Sequence, residues 1–355
     1  MYGLIIAGGS GTRLWPKSRI FSPKQLHSLV TDSTLLTDTV NRIKPLIPKK
    51  DIWIVTNKGY VHKIKEQVPG VPADNILAEP EALGTALAIG FGVCRIYEMD
   101  KNATIVVMWS DHHIKKEKNF LNALKLAKKV AHEKPGAIIG VNPTFPSTGY
   151  GYIQMGDEIE KFGKMKVFRL ENFTEKPDLK TAKEYLTSWE YLWNTGIGVW
   201  TAKKFLNLFK KHLPKHYQAL QKVKKHFNKP DLEKVMKKEF SKLEKIPIDY
   251  AIYEKAKDLA VIPIDLGWSD IGDWSNLKET LNANGKENLI KGKHIGVDTD
   301  GCLVLGGERL IATLGVGNLV IVDTDDAILI AHKKYAEKVK DLTQKLKKEG
   351  FEEYL

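Results

Sequence analysis

Residues 7–16 read Ala7-Gly8-Gly9-Ser10-Gly11-Thr12-Arg13-Leu14-Trp15-Pro16, directly after the apolar run Leu4-Ile5-Ile6, and Pro23-Lys24-Gln25 follows a few residues on. Three glycines let backbone N–H groups close around phosphate oxygens without Cβ clashes, and Arg13 and Lys24 bring fixed positive charge to the same rim. That chemistry suits a nucleoside triphosphate. A dinucleotide-binding fingerprint needs a glycine where Leu14 stands, although Asp32 lies where its ribose-binding acid would be, and a Walker-type loop needs a Gly-Lys-Ser/Thr that is absent. A tight strand-to-helix turn with no ligand is the alternative that spacing leaves open.

Two acids could serve a hard cation. Asp111 follows the apolar run Ile105 to Met108 and then Trp109-Ser110, and Asp270 sits in Trp268-Ser269-Asp270-Ile271-Gly272-Asp273-Trp274. Mg²⁺ takes one or two protein carboxylates and leaves its other positions to water and substrate phosphates. The alternative is that Asp111 caps a turn and Asp270 starts the helix near Trp274. His112-His113 is not read as a metal site, because neighbours in an extended segment point apart. Glu175-Lys176-Pro177 joins an acceptor to a point charge, a combination a sugar phosphate could use and a surface turn could also contain. Trp193-Asn194-Thr195-Gly196 offers an amide for a polyol or an Asn turn, and for Asp249 an N-cap role is sufficient. Gly149-Tyr150-Gly151-Tyr152 fits either a bulged strand or a close backbone approach to ligand. No nucleophile-and-base constellation is present.

The elements that must position these residues alternate. Apolar, β-branched runs at Leu4–Ala7, Ile52–Thr56, Thr104–Met108, Ala137–Val141 and Ile197–Trp200 are separated by helical periodicity at Leu35–Ile43, Gly59–Gln67, Thr85–Met99 and Asn119–His132, which predicts a mostly parallel sheet wrapped by helices. Period-two patterning from Tyr150 to Phe173 predicts an antiparallel insertion, and lysine-rich helices follow over Ala202–Lys245. From about residue 285 short apolar strands are spaced by glycines until a helix at Tyr335–Lys348, so the tail reads as a small all-β unit, either β-helix turns or a small sandwich.

The chain has 355 residues, 43% of them hydrophobic and 28% charged, which suits one large α/β core with a smaller unit attached. Its net charge of +12 invites a nucleic-acid partner. The excess is largely lysine on presumed helices (Lys203–Lys229, Lys333–Lys348), which reads as solvated helix faces instead. No apolar stretch approaches the roughly 18 residues of a membrane span, and the N-terminal run is too short for a signal peptide, so a cytoplasmic protein with neither membrane nor nucleic-acid partner is expected. Cys94 and Cys302 are expected to be buried small apolar residues.

Taken in order, Ala7 to Pro16, Pro23-Lys24-Gln25, Ala78-Glu79-Pro80, Asp111-His112, Gly149 to Tyr152, Glu175-Lys176-Pro177, Trp193 to Gly196, Asp249 to Lys255 and Trp268 to Trp274 resemble the mannose-1-phosphate guanylyltransferases of the sugar nucleotidyltransferase family. Each motif is common alone, and nine in one order are specific. The resemblance implies a Rossmann-like α/β/α catalytic domain over residues 1–284 and a left-handed β-helix with a terminal helix over 285–355. It implies transfer of a guanylyl group from GTP to α-D-mannose 1-phosphate with Mg²⁺, releasing pyrophosphate. It further implies that Gly8, Gly9, Gly11, Thr12 and Arg13 hold the triphosphate, that Lys24 neutralises charge, and that Glu79 and Thr85 lie near base and ribose. Asp111 and Asp270 would hold the metal, Gly149, Glu175, Lys176 and Asn194 the mannosyl phosphate, and Asp249 the sugar-side wall. The chain departs from the family pattern at Trp109-Ser110, usually Pro-Ala, at Gly84-Thr85-Ala86, often Asn-Thr-Ala, and at Thr174, commonly arginine. Other nucleotide or hexose substrates, or a silent regulatory subunit, remain rival readings, and the tail's exposed edge allows a homodimer.

Overall fold

A computed structural model describes residues 1–9, 11–82, 84–281 and 287–355. Ser10 and the boundary expected at 284/285 lie outside the described residues. The chain divides into two compact units, one made of Met1–Gly8, Val40–Ser110 and Ile114–Trp268, the other of Gly9–Thr39, Asp111–His113 and Ser269–Leu355.

The strands of the first unit run β1 (Tyr2–Ala7), β2 (Ile52–Asn57), β3 (Ile76–Glu79), β4 (Thr104–Trp109), then, past the short β5 (His113–Ile114), β6 (Ala137–Val141), β7 (Gly151–Phe162), β8 (Met165–Glu175), β9 (Tyr191–Thr201) and β10 (Ala260–Pro263). Apart from β5 they form a nine-stranded sheet in the order β3-β2-β1-β4-β9-β6-β10-β8-β7. The helices α1 (Leu35–Ile43), α2 (Val61–Gln67), α3 (Thr85–Met99), α4 (Glu117–Glu133), α5 (Leu179–Ser188), α6 (Ala202–His212), α7 (Pro214–Lys224) and α8 (Leu232–Phe240) connect them. The sequence pattern sets these elements. On α4, Phe120, Ala123, Leu124, Ala127, Val130 and Ala131 recur at helical spacing and are all buried. At the start of α5 the Asp178 carboxylate accepts from Thr181 N–H at 2.8 Å. Among the described residues no helix is long and apolar enough to cross a membrane.

The sheet is mixed, which corrects the expectation of a mostly parallel one. Strands β3, β2, β1 and β4 are parallel, but β9 runs antiparallel to both β4 and β6. A central strand buried on both faces reads as a continuous apolar run whichever way it points, so Ile197–Trp200 carried no sign of direction. The period-two segment does form an antiparallel hairpin, β7 with β8, and it joins the same sheet.

In the second unit β12 (Leu289–Lys291), β14 (Leu303–Leu305) and β16 (Leu319–Asp323) follow the short β11 (Trp268–Ser269) and pair in parallel, Leu289 beside Leu303 beside Val320. A second parallel pair joins β13 (His294–Asp300) to β15 (Ile311–Gly317). Parallel pairing between strands that alternate between two sheets defines successive coils, and this decides for a β-helix over a sandwich. Strand β17 (Ile328–His332) closes one sheet antiparallel to β16. Helices α9 (Trp274–Leu281) and α10 (Val339–Lys348) belong to this unit, whose core joins Leu14, Trp15, Ile271 and Trp274 to Leu303, Val320, Val322 and Leu329. Both cysteines are buried and free.

Candidate functional site

The phosphate-side residues lie mainly in the second unit. Gly11 adopts φ 64° at the start of the 3₁₀ turn Thr12–Leu14, and a Cβ there would stand 2.8 Å from Lys24 Cβ and from Ser18 Oγ. Only glycine suits both the backbone angle and the space. Thr12 and Arg13 are exposed, while Leu14 and Trp15 are buried, so the loop is anchored on one flank and open on the other. The Gly9 carbonyl accepts from Gln25 Nε2 at 3.2 Å, tying the loop to the Pro23-Lys24-Gln25 turn.

Lys24 joins the Asp111 carboxylate to the backbone of the Asp270 segment. Its Nζ lies 2.9 Å from Asp111 Oδ2, 3.1 Å from the Asp270 carbonyl and 3.2 Å from the Ile271 carbonyl. Burial raises the Asp111 carboxyl, but the Lys24 ammonium, with His112 in support, outweighs it and holds the group below the usual carboxylate range. Asp270 Oδ1 accepts from Gly272 N–H at 3.2 Å, and the cap of α9 is Asp273, whose Oδ1 accepts from Ser275 N–H at 2.7 Å and Asn276 N–H at 3.0 Å. The helix-start reading of Asp270 is thereby corrected. Between them stands Ile271, fully buried and at φ 46°, a left-handed conformation that a β-branched residue adopts at a cost. It turns two successive carbonyls onto one ammonium. No motif in the sequence announces that strain.

The base-side candidates belong to the first unit, at the carboxyl end of β3. Glu79 is 4% exposed, its Oε1 has no hydrogen-bond partner among the described residues, and burial pushes its carboxyl up to about 8. Gly8 lies against the same carboxyl, 3.3 Å from a Cβ position to Oε2. Thr85 opens α3, and its Oγ1 accepts from Ile248 N–H at 2.9 Å, fixing the backbone just ahead of Asp249.

The sugar-side candidates also fall in the first unit and do converge. Asn194 Nδ2 donates to Asp249 Oδ1 at 3.0 Å, while Gly196 N–H donates to Asn194 Oδ1 at 3.0 Å. Asp249 begins the π-helical turn Asp249–Tyr253 without capping it, so the N-cap reading gives way to a side-chain role. Burial, then the neighbouring Glu175 charge, push the Asp249 carboxyl up to about 7. Glu175 is itself raised by burial against the pull of Lys176, whose Nζ is 3.2 Å from Glu175 Oε1. Lys176 stands at φ 47°, and its N–H donates to the Tyr150 carbonyl at 3.2 Å. Gly151 pairs with Glu175 across the β7–β8 ladder, and a side chain there would collide with Glu175 Oε2. Gly149 N–H donates to Ser147 Oγ at 3.1 Å. Alongside lies an aromatic group the sequence reading missed, Tyr150 against Trp193 at 5.0 Å and Trp268 at 5.3 Å between ring centroids.

A mixed sheet whose strands β3, β2, β1 and β4 run parallel, a glycine turn after β1 and acids beyond its strand ends define a phosphate-handling α/β class. The family described as nucleotidyl transferase matches residues 2–287, and a second family, the MannoseP isomerase/GMP-like beta-helix domain, matches residues 292–346. The chain belongs to the nucleotidyl transferase family. It is 33% identical over its whole length to the mannose-1-phosphate guanylyltransferase of Escherichia coli strain K12, covering 75% of that protein. It is 34% identical over 99% of its length to mannose-1-phosphate guanylyltransferase RfbM of Salmonella typhimurium, covering 73% of it. Among solved structures, a Thermus thermophilus protein described as a mannose-1-phosphate geranyltransferase superimposes with a TM-score of 0.86 at 31% identity, over 98% of this chain and 99% of that one.

Proposed function

We propose that the chain transfers the guanylyl group of GTP to α-D-mannose 1-phosphate, giving GDP-mannose and pyrophosphate. A phosphate oxygen of the sugar phosphate attacks the α-phosphorus of GTP, the bond from that phosphorus to the bridging oxygen breaks, and pyrophosphate leaves with the electron pair. The nucleophile is already an anion, so no strong base is required, and the barrier is the approach of two polyanions. The observation that carries this reading is the Lys24 ammonium bound at once by Asp111 and by the Asp270–Ile271 backbone, in a chain whose relatives bear that activity in their names.

The donor set there fits a divalent ion. The Asp111 carboxylate and the backbone carbonyls of Asp270 and Ile271 already surround one cation, the Asp270 carboxylate belongs to the same short segment, and Mg²⁺ takes hard oxygen donors of this kind and needs only one or two carboxylates from a protein. Asp111 and Asp270 would hold Mg²⁺, which supplies charge neutralisation at phosphate oxygens when bound. The residues do the rest. Backbone N–H groups of Gly8, Gly9, Gly11 and Thr12 cradle the triphosphate, Arg13 and Lys24 offset its charge, and Glu79 and Thr85 face base and ribose. Gly149, Glu175, Lys176 and Asn194 receive the mannosyl phosphate, with Asp249 as the wall on the sugar side. A reducing cytoplasm suits the two free thiols.

Four nucleoside triphosphates assayed against mannose and glucose 1-phosphates, by pyrophosphate release, test this. GTP with mannose 1-phosphate is expected to exceed every other pair by at least about 10-fold, the discrimination of one buried polar contact. A faster rate with another pair overturns the substrate assignment, and nucleotide binding without release overturns the activity.

The reading extends to a homodimer. A chain of net charge +12 repels its own copies except through an uncharged patch, and Ile295, Val297 and Leu314 are exposed side by side on β13 and β15. Ile295→Lys with Leu314→Lys is expected to halve the mass measured by light scattering. A wild-type monomer would end this part of the reading.

A further inference from the structure

Within the first unit, a seam invisible in the sequence joins the base-side loop to the segment that carries the sugar-side acid. Gly84, Thr85 and Ala86 open α3 after the Glu79-Pro80 turn, and Ile246-Pro247-Ile248 lead into Asp249. Three contacts make the seam. Gly84 has φ 81°, and a Cβ built there would stand 3.1 Å from Ile246 N and 3.3 Å from both Ile246 O and Lys245 C, so main chain lies directly on main chain. The Ala86 N–H donates to the Ile246 carbonyl at 3.2 Å. The Ile248 N–H donates to Thr85 Oγ1 at 2.9 Å, across 163 residues of chain. Lys245 Nζ adds an exposed pair with Glu81 Oε2 at 3.7 Å, which contributes little.

The seam takes over the ordinary finish of a helix. The first N–H groups of a helix need acceptors, which a Ser, Thr, Asn or Asp side chain at the N-cap commonly provides. Gly84 stands at that position with no side chain to offer, and the acceptor for the Ala86 N–H comes from Ile246 instead. Thr85 completes the exchange, because its hydroxyl bonds out of its own helix. Ile248 is fully buried, so removal of that hydroxyl strands a buried N–H without an acceptor. The very next residue is Asp249, the first of the π-helical turn, and its carboxylate is met from the other side by Asn194 Nδ2. Thr85 thus stands on the base side of the unit while the bond its side chain makes runs to the sugar side.

We infer that Thr85 is a positioning residue for the sugar-side acid: its hydroxyl fixes Ile248 and thereby holds the Asp249 carboxylate, together with Asn194, where the hydroxyls of the sugar phosphate are received. This rests on the proposed reading that Asp249 walls the sugar side. An acceptor already in place spares the ligand the cost of ordering it, so the effect of Thr85 falls on the sugar phosphate and not on GTP.

The test uses the full chain with Thr85→Val, which keeps the shape and removes the hydroxyl, Thr85→Ser, Asp249→Asn, and the double variant Thr85→Val with Asp249→Asn. Pyrophosphate release gives KM for mannose 1-phosphate at saturating GTP, and calorimetry without sugar phosphate gives GTP affinity. Thr85→Val is expected to raise that KM about 10-fold, the scale of one buried donor left without its acceptor, and to leave GTP affinity unchanged. Thr85→Ser returns the hydroxyl and should return KM towards the wild type. The double variant should match Asp249→Asn alone, because Thr85 acts through that acid. Additive losses in the double variant overturn the inference, since they describe independent contacts or general damage. So does a fall in GTP affinity with a normal KM for mannose 1-phosphate, which would put the hydroxyl on the ribose. A normal KM in Thr85→Val beside a raised one in Asp249→Asn overturns the inference and leaves the sugar-side reading standing. A normal KM in Asp249→Asn removes that reading, and the inference with it. If Thr85→Val does not fold, Thr85→Cys, whose sulfur is a weak acceptor, decides by the same comparisons.

Discussion

Asp111→Asn and Asp270→Asn are each expected to lower turnover of GTP with mannose 1-phosphate by about 10²- to 10³-fold, the usual loss when one preorganised electrostatic group is removed from a transition state. The amide keeps the shape of the acid. At position 270 its oxygen can still accept from Gly272 N–H, and at position 111 it can still accept from Lys24 Nζ, so the backbone has no cause to move. What disappears is one negative charge at a spot that must attract a cation and then position phosphates. Circular dichroism and melting curves should therefore stay close to wild type while kcat falls. The two losses should not add, because both variants damage one cation site. Asp273→Asn serves as the contrast, since Asp273 caps α9 and its replacement should reach stability without reaching kcat. Near-normal metal-dependent turnover in both Asp111→Asn and Asp270→Asn would remove these acids from the mechanism.

That cluster shows what the sequence could and could not disclose. Asp111 and Asp270 were legible as acids that follow apolar strands, with capping left open for each, and Lys24 as a charge at the rim of the glycine loop. The family resemblance implied that they meet, but the backbone that brings them together was not legible. It depends on Ile271 taking a left-handed conformation, which propensity counts against and which burial in the Leu14–Trp274 core supports. Helices α1 and α3 came out with the predicted bounds, α1 from its amphipathic spacing and α3 from an apolar run too long for a strand. The direction of β9 did not, because burial on both faces erases the alternation that would betray it. Spacing alone disclosed the tail as short strands between glycines, and the β-helix came from the family resemblance. Only the register of β12, β14 and β16 tells coils from a sandwich, and register comes from long-range pairing.

A pH series on Asp249→Asn should separate the two tasks of the sugar-side acid. Its carboxyl is raised to about 7, first by burial and next by the Glu175 charge, while Asn194 pulls the other way. The folded chain therefore binds that proton more tightly than the unfolded chain, whose aspartate titrates near about 3.9. The resulting stability is complete below the unfolded value and is lost as pH rises through about 7, a cost of at most about 4 kcal/mol that partial water access reduces further. Asparagine carries no such proton. The melting temperature of Asp249→Asn should thus gain on wild type as pH rises from 4 to 7 and hold a constant lead above that, and a gap independent of pH would refute the assignment. Function should move oppositely. Mannose hydroxyls donate to a carboxylate, so bound sugar favours the ionised form, and KM for mannose 1-phosphate in the wild type should fall as pH climbs from about 6 to 8. In Asp249→Asn that slope should vanish and KM should rise about 10- to 100-fold, the worth of one hydrogen bond to a charged group. A variant that is more stable in alkali yet poorer at holding the sugar is what a buried acid kept for its ligand must produce, because Glu175 and Asp249 repel each other until a polyol comes between them.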